Sequence, residues 1–247
     1  MKKLIIAMFV LMSAAGAFAV TGQQVSYKSG NETVHAMLYV PQGKGPFPAL
    51  VVIHEWWGLN DWVKQQAQNL AGLGYETLAI DLYRGKVATT AEAAHELMRG
   101  VPEDRAKTDL LAAYAYLESR KDVKKNKVGT IGWCMGGGYA LDLAVDQPKL
   151  AVAVVNYGHL ASEDSTLEKI HAPMLGIFGG LDQGIPPASV QQFASQMKKL
   201  GKTVDVKIYP DAGHAFENPN NKEGYREADT RDAWNRTVAF LQKYLKQ

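Results

Sequence analysis

Residues 127–138 read KVGTIGWCMGGG, a short apolar segment that runs directly into a glycine-rich turn. Cys134 stands at the middle of the turn, with Gly132 two residues before it and Gly136 two residues after it. A residue in the middle of a sharp strand-to-helix turn adopts strained backbone angles, and glycines at this spacing let neighbouring backbone pass without a Cβ clash. The segment therefore predicts a nucleophile elbow of the G-x-S-x-G type, with cysteine in place of serine. Taken alone, it is equally compatible with a buried structural cysteine beside a tight turn.

Segments with strand and helix patterns alternate along the rest of the chain. The predicted strands cover 33–40, 49–53, 75–80, 127–131, 150–155, 174–178 and 203–209. The predicted helices cover 61–73, 101–117, 136–145, 188–200 and 223–244. Buried strands that alternate with helices predict an α/β protein with a mostly parallel central sheet and helices on both faces. In such sheets ligands bind outside the carboxyl ends of the strands, so the chemistry is expected in the loops that follow them.

Two of these loops supply an acid and a histidine. Asp182 follows the predicted strand 174–178, and His214 follows the predicted strand 203–209. The chain order of nucleophile, acid and histidine is that of a hydrolase triad, so we predict that Cys134, Asp182 and His214 act together. His214 would take the thiol proton, and Asp182 would orient the imidazole. Asp211 is the rival acid, although its place on the histidine's own loop favours a role in the turn.

The loop after the predicted strand 49–53 reads His54-Glu55-Trp56-Trp57-Gly58. We predict that the backbone N–H groups of Met135 and Trp56 form an oxyanion hole. The His-Glu pair lacks the second histidine of a zincin motif, so no metal site is expected here. Glu55 beside two tryptophans is expected to have a raised pKa because of desolvation. Capping of the next helix is the alternative role for this carboxylate.

The composition excludes several classes of protein. The chain has 247 residues, 47% of them hydrophobic and 21% charged, so it is neither disordered nor of low complexity. A net charge of +2 without a stripe of Lys or Arg predicts no nucleic-acid partner. A single cysteine excludes an internal disulfide and a thiol redox pair. We expect one domain over residues 20–247, no cofactor, and a monomer.

The first nineteen residues have the pattern of a secretory signal peptide. Lys2 and Lys3 precede an uninterrupted apolar run over 4–12, and Ala17-Phe18-Ala19 has the small-x-small pattern of a cleavage site. The apolar run is shorter than the roughly 20 residues that a membrane-spanning helix needs. The sequence therefore predicts cleavage after Ala19 and a periplasmic or secreted protein without stable membrane insertion. A retained N-terminal anchor is the alternative.

Together, these motifs resemble the dienelactone hydrolase family of the α/β-hydrolase superfamily. The resemblance covers nearly all of residues 20–247 and is carried by several segments, which are His54 to Gly58, Asp81-Leu82-Tyr83, Gly132 to Gly137, Asn156-Tyr157-Gly158 and Gly213 to Phe216. It implies that Cys134, His214 and Asp182 open ester or lactone bonds through an acyl-enzyme. It also implies that Glu55 pairs with the resting thiol and helps it to ionise.

The resemblance is weaker at the residues that select the substrate. Family members that act on dienelactone hold its carboxylate with two arginines and have a serine after the catalytic histidine. Here Arg84 follows Tyr83 in a displaced position, Ala215 follows His214, and Asn218 replaces the second arginine. Without a bidentate carboxylate clamp, dienelactone itself is doubtful as the substrate. We expect Arg84, Tyr83 and Trp57 to contact whichever ester or lactone is bound.

The leading hypothesis is a hydrolase that cleaves a carboxylic ester or lactone through an acyl-thioester on Cys134. Acyl transfer to another hydroxyl is an enzymatic alternative. A ligand-binding protein that keeps the fold without turnover is a second alternative, although every triad position is filled.

Overall fold

The computed structural model describes residues 20–247, and the predicted signal peptide at 1–19 lies outside them. Within this range, one sheet contains eight strands: β1 (Gly22–Ser29), β2 (Glu32–Tyr39), β3 (Phe47–Ile53), β4 (Glu76–Ile80), β5 (Val123–Trp133), β6 (Ala153–Asn156), β7 (Met174–Gly179) and β8 (Val204–Tyr209). None of the helices described is both long enough and apolar enough to cross a bilayer.

The strand order is β1-β2-β4-β3-β5-β6-β7-β8. The β1·β2 and β2·β4 pairs are antiparallel, and all the other pairs are parallel. The register aligns the carboxyl ends of the parallel strands, since Ile53 pairs with Gly132 and Gly179 pairs with Tyr209. The loops that follow β3, β5, β7 and β8 therefore leave the sheet at the same edge, as the predicted mostly parallel α/β fold requires.

Helices cover both faces of the sheet, in the order α1 (Asp61–Gly72), α2 (Ala91–Arg99), α3 (Glu103–Ser119), α4 (Met135–Asp146), α5 (Asp164–Leu167), α6 (Pro187–Lys199) and α7 (Glu227–Leu245). Successive residues of β3 belong to different cores: Val51 packs in the cluster with α3, α4 and α6, and Val52 packs in the cluster with α1 and α7. This two-sided burial explains the continuous apolar run of the strand.

Three elements were not predicted from the sequence. The edge strand β1 is rich in polar residues because only one side of it packs on the protein. The helix α2 buries a single residue, Ala94, and the helix α5 is one turn long. These elements lack the long apolar pattern on which a prediction depends.

Candidate active site

Cys134 lies in the sharp turn between β5 and α4. Its backbone has φ 55° and ψ −121°, a left-handed conformation that side-chain-bearing residues rarely adopt. The Cys134 N–H donates to the carbonyl oxygen of Asn156 at 3.0 Å, which holds the turn against the neighbouring strand. A Cβ at Gly132 would overlap the Gly136 carbonyl, and a Cβ at Gly136 would overlap the carbonyls of Ile53 and His54. The predicted elbow is therefore present, and its glycines are sterically required.

The loops after β7 and β8 bring Asp182 and His214 together. His214 Nδ1 lies 2.7 Å from Asp182 Oδ2, and the carboxylate is 3% exposed. Asp182 Oδ1 accepts hydrogen bonds from the N–H groups of Gly184 at 2.9 Å and Ile185 at 3.1 Å. Burial acts to raise the pKa of Asp182, but the contacts with His214 and these two N–H groups outweigh it and hold the pKa below its usual value. Asp211, the rival acid, is exposed and does not contact the imidazole.

The imidazole of His214 also interacts with Cys134, which contributes to the pKa of the histidine. Because Nδ1 faces Asp182, Nε2 is the ring nitrogen that remains available to the sulfur. Burial disfavours the imidazolium, but the interactions with Asp182 and Cys134 outweigh this effect and raise the pKa of His214 to about 10. The fold thus brings the loops that carry the three predicted residues together, and the printed contact among them joins His214 to Asp182.

Glu55 is buried beside these residues, with 1% of its surface exposed. Its Oε2 accepts a hydrogen bond from Asn218 Nδ2 at 2.6 Å, and no described residue bonds to Oε1. Burial raises the pKa of Glu55 to about 7, although the Asn218 hydrogen bond opposes the shift. Helix capping is not its role, since the cap of α1 is Asn60, whose side chain accepts from the Val63 N–H at 3.2 Å.

The neighbouring His54 serves to connect two loops. Its Nε2 accepts from the Leu82 N–H at 3.2 Å, so the ring proton lies on Nδ1 and is donated to the Glu55 carbonyl oxygen at 2.6 Å. Complete burial lowers the pKa of His54 and favours this neutral form. Among residues 20–247, no group of three or more His, Cys, Asp or Glu side chains is arranged to hold a metal ion.

The two N–H groups predicted for the oxyanion hole belong to loops that are joined to each other. Met135 is the first residue of α4, and Trp56 follows the end of β3, against which Gly136 packs. The Tyr83 hydroxyl donates to the Trp56 carbonyl oxygen at 3.0 Å and lies 3.3 Å from the sulfur of Met135. Tyr83 thus links the loop that carries Trp56 to the first residue of α4.

A cavity of about 1200 Å³ opens beside Cys134. Most of its exposed wall surface is apolar, and the residues that line it include Trp57, the predicted substrate contact. The residues that line it are Glu55, Trp56, Trp57, Asn60, Val87, Ala88, Met98, Cys134, Met135, Gly138, Tyr139, Asp142, His159, His214, Ala215, Asn218, Asn220, Asn221, Lys222 and Glu223. Tyr83 is not among them, so it supports the wall rather than forming it.

Arg84 does not line the cavity either, which corrects the prediction that it contacts the substrate. Its guanidinium forms two hydrogen bonds with the buried Asp109, at 2.7 and 3.1 Å, and a salt bridge with Glu32 at 2.7 Å. Asp109 lies on α3 and Glu32 begins β2, so these partners are distant in sequence. The backbone of Arg84 is left-handed, with φ 56°.

Sequence reasoning did not identify two buried groups behind the site. The ring of Tyr157 lies edge-on to the His214 ring, with 5.3 Å between ring centroids. Glu217 Oε2 accepts a hydrogen bond from the Trp133 indole N–H at 3.4 Å. Burial raises the pKa of Glu217 to about 8; the hydrogen bond from Trp133 opposes this shift, and repulsion from Glu55 adds to it. A carboxyl three residues after the histidine gives no signal in the sequence that it is buried.

An eight-stranded, mostly parallel sheet with a nucleophile elbow and an adjacent acid–histidine pair defines an α/β-hydrolase. The model of the dienelactone hydrolase family matches residues 34–245. A protein of Methylorubrum extorquens named "Putative carboxymethylenebutenolidase" is 31% identical over 94% of this chain and 84% of its own length. "Protein usf" of Aquifex pyrophilus is 32% identical over 91% of this chain and 99% of its own.

A solved structure has the same fold. The dienelactone hydrolase-like promiscuous phosphotriesterase from metagenomic libraries superposes with a TM-score of 0.84 at 24% identity, covering 92% of this chain and 99% of its own. The chain belongs to the dienelactone hydrolase family, and its enzyme class is that of a carboxylic ester or lactone hydrolase.

Proposed function

We propose that the protein hydrolyses a carboxylic ester or lactone through a covalent thioester on Cys134, with His214 and Asp182 as the other members of the triad. The observation that carries this proposal is the 2.7 Å contact between His214 Nδ1 and Asp182 Oδ2, because it leaves Nε2 free to serve the sulfur at the elbow.

The first half of the reaction forms the thioester. With a pKa of about 10, His214 holds at neutral pH the proton that it takes from the Cys134 thiol. The sulfur attacks the carbonyl carbon, and the oxyanion accepts hydrogen bonds from the N–H groups of Met135 and Trp56. When the intermediate collapses, the bond to the alcohol oxygen breaks, and His214 donates its proton to that oxygen.

The second half regenerates the enzyme. Water gives a proton to His214 and attacks the thioester carbonyl, and the carbon–sulfur bond breaks to release the carboxylic acid. The proton held by His214 neutralises the departing thiolate or remains in the ion pair with it. We assign Glu55 a positioning role in this scheme: Asn218 holds one carboxyl oxygen, and Oε1, which has no partner among the described residues, would face the resting thiol.

A comparison of the purified wild type with three variants tests the triad. We expect wild type to release p-nitrophenol from p-nitrophenyl butyrate, Cys134→Ala to be inactive, and Asp182→Asn to lose most of kcat. Asp211→Asn is the matched control, since this exposed carboxylate lies on the histidine loop and should not affect the rate. Equal rates for wild type and Cys134→Ala, with both proteins folded by circular dichroism, would contradict the proposal.

Intact-mass measurement distinguishes hydrolysis from simple binding. During turnover of a slow ester, wild type should carry the mass of one acyl group, and Cys134→Ala should carry none. Ligand binding without any adduct or product would instead favour the non-catalytic alternative. Transfer of the acyl group to an added alcohol, faster than to water, would favour the acyltransferase.

We also propose that the protein is exported and cleaved after Ala19. The folded domain is consistent with this site, because Val20 is buried and its carbonyl oxygen accepts a hydrogen bond from Gln68 Nε2 at 2.6 Å. The N-terminal sequence of the protein recovered from a periplasmic extract should begin at Val20. Recovery of the full-length chain in the membrane fraction would favour the retained anchor.

A further inference from the structure

The face of α4 that lines the cavity begins at the nucleophile and ends at a carboxylate. Met135, Gly138, Tyr139 and Asp142 follow Cys134 at helical spacing, and all of them line the cavity. With a rise of 1.5 Å per residue, the Asp142 backbone lies about 12 Å along the helix from Cys134. A substrate that fills the cavity along α4 therefore has its reacting carbonyl at one end and reaches a negative charge at the other.

The carboxylate of Asp142 has no salt bridge or hydrogen bond to any residue in the part of the chain that the structure describes. The ammonium group of Lys107 lies nearby. Lys107 is already engaged, since its ammonium lies 2.6 Å from Asp146 Oδ1. Asp146 and Glu103 add further negative charge around Asp142. Asp142 is exposed to solvent at this end of the cavity, and a positively charged ligand group beside it would form a favourable charge pair.

Aromatic rings accompany the carboxylate. Tyr139 precedes Asp142 by three residues on α4, and Trp56 and Trp57 also line the cavity. Ring faces attract ammonium groups, and a carboxylate beside them adds a direct charge pair. His159, which packs against Gly138 from the loop after β6, completes this end of the cavity. We name Tyr139, Asp142 and His159 the acidic subsite.

We propose that the acidic subsite binds a positively charged amine of the substrate, so that the enzyme prefers esters carrying an ammonium group about 10 Å from the scissile carbonyl. This inference rests on the proposed function, because it deepens the choice of substrate at the same nucleophile. It also explains the displaced Arg84: with its guanidinium held by Asp109 and Glu32, it brings no positive charge to the cavity.

Matched substrates test the inference. We would compare p-nitrophenyl esters of an octanoyl chain whose last carbon carries trimethylammonium, tert-butyl or carboxylate; the extended chain spans about 10 Å. A partly solvated charge pair predicts a kcat/KM about fivefold higher for the ammonium ester than for the tert-butyl ester in wild type. Asp142→Asn should bring this ratio to about one. Asp211→Asn, whose exposed carboxylate does not line the cavity, should preserve the wild-type ratio.

The pH dependence gives a second readout. Partial desolvation within the cavity, together with Asp146 and Glu103, raises the pKa of Asp142 to about 6, although His159 and Lys107 oppose the shift. The preference for the ammonium ester should therefore be present above that pH and decline as the pH falls through it. In the Asp142→Asn variant, this decline should disappear.

A binding measurement separates this inference from the catalytic proposal. Octyltrimethylammonium should bind to Cys134→Ala by calorimetry, and the added Asp142→Asn change should weaken binding about fivefold. Hydrolysis of the tert-butyl ester with no ammonium preference would overturn the acidic subsite and leave the triad intact. Selective ammonium binding without hydrolysis of any ester would overturn the triad and support the subsite. Equal binding by the two variants would overturn the subsite.

Discussion

Asn218 donates a hydrogen bond from Nδ2 to Glu55 Oε2 at 2.6 Å, while its own Oδ1 accepts from the Asn220 N–H at 2.9 Å. The second contact fixes the orientation of the amide, so the group presented to Glu55 is the donor. The residue four positions after His214 thus lines the cavity and also holds the carboxyl group of Glu55.

We predict that Asn218→Ala raises the pKa of Glu55 above its value of about 7, because the hydrogen bond that stabilises the ionised carboxylate is lost. The carboxyl carbon of Glu55, followed by ¹³C NMR, should titrate at higher pH in the variant. Asn220→Ala, a neighbouring exposed change, serves as the control and should leave the titration in place. A lower pKa in Asn218→Ala would contradict the assigned contact.

We predict that Glu217→Gln stabilises the protein at alkaline pH. The folded-state pKa of Glu217 is raised to about 8, above that of an exposed glutamate, so the wild type loses stability as the pH rises through this range. Gln removes this penalty and can still accept from the Trp133 indole. The free energy of unfolding in urea should favour the variant by on the order of 2 kcal/mol more at pH 9 than at pH 5.5. Glu168→Gln, on the surface, should show no such difference.

We predict that Arg84→Met destabilises the fold without a comparable effect on KM for a neutral ester. Asp109 is 0% exposed, and removing its partner leaves a buried carboxylate unpaired, at a cost of about 3 kcal/mol. Adding Asp109→Asn should restore part of this loss, because the uncompensated charge is then removed. A large rise in KM with unchanged stability would instead indicate that Arg84 contacts the substrate.

We predict that Gly132→Ala abolishes activity and lowers the free energy of unfolding by about 3 kcal/mol. The added methyl group meets the Gly136 carbonyl, which is backbone and cannot rotate away. Gly72→Ala is the matched control, since a Cβ there meets nothing within 4 Å at the end of α1. A fully active and stable Gly132→Ala protein would show that the elbow is not sterically closed.

The alternation of apolar strands and helices was sufficient to predict the fold, because each buried strand carries its pattern within a few residues. The same local signals located Cys134, Asp182 and His214, since each follows a strand whose carboxyl end lies at one edge of the sheet. The polar strand β1 and the sparsely buried helix α2 escaped prediction because their stability depends on contacts with the rest of the fold.

The surroundings of the site depend on contacts that no local pattern encodes. Arg84 is held by Asp109, twenty-five residues later in the chain, so its removal from the cavity follows only from the packing of α3. Glu55 and Asn218 are 163 positions apart, yet they share a hydrogen bond. In both cases, a residue that is distant in the sequence determines where the charged side chain is held.

Cys134 is the only cysteine in the sequence, and it lies at the wall of an open cavity. Any thiol-directed reagent therefore reacts at a single atom, without substitution of other residues. A fluorescent maleimide becomes a direct probe of the nucleophile, and ligands that fill the cavity reveal themselves by slowing the labelling. The rate of labelling at Cys134 can therefore be used to screen candidate substrates before any turnover is measured.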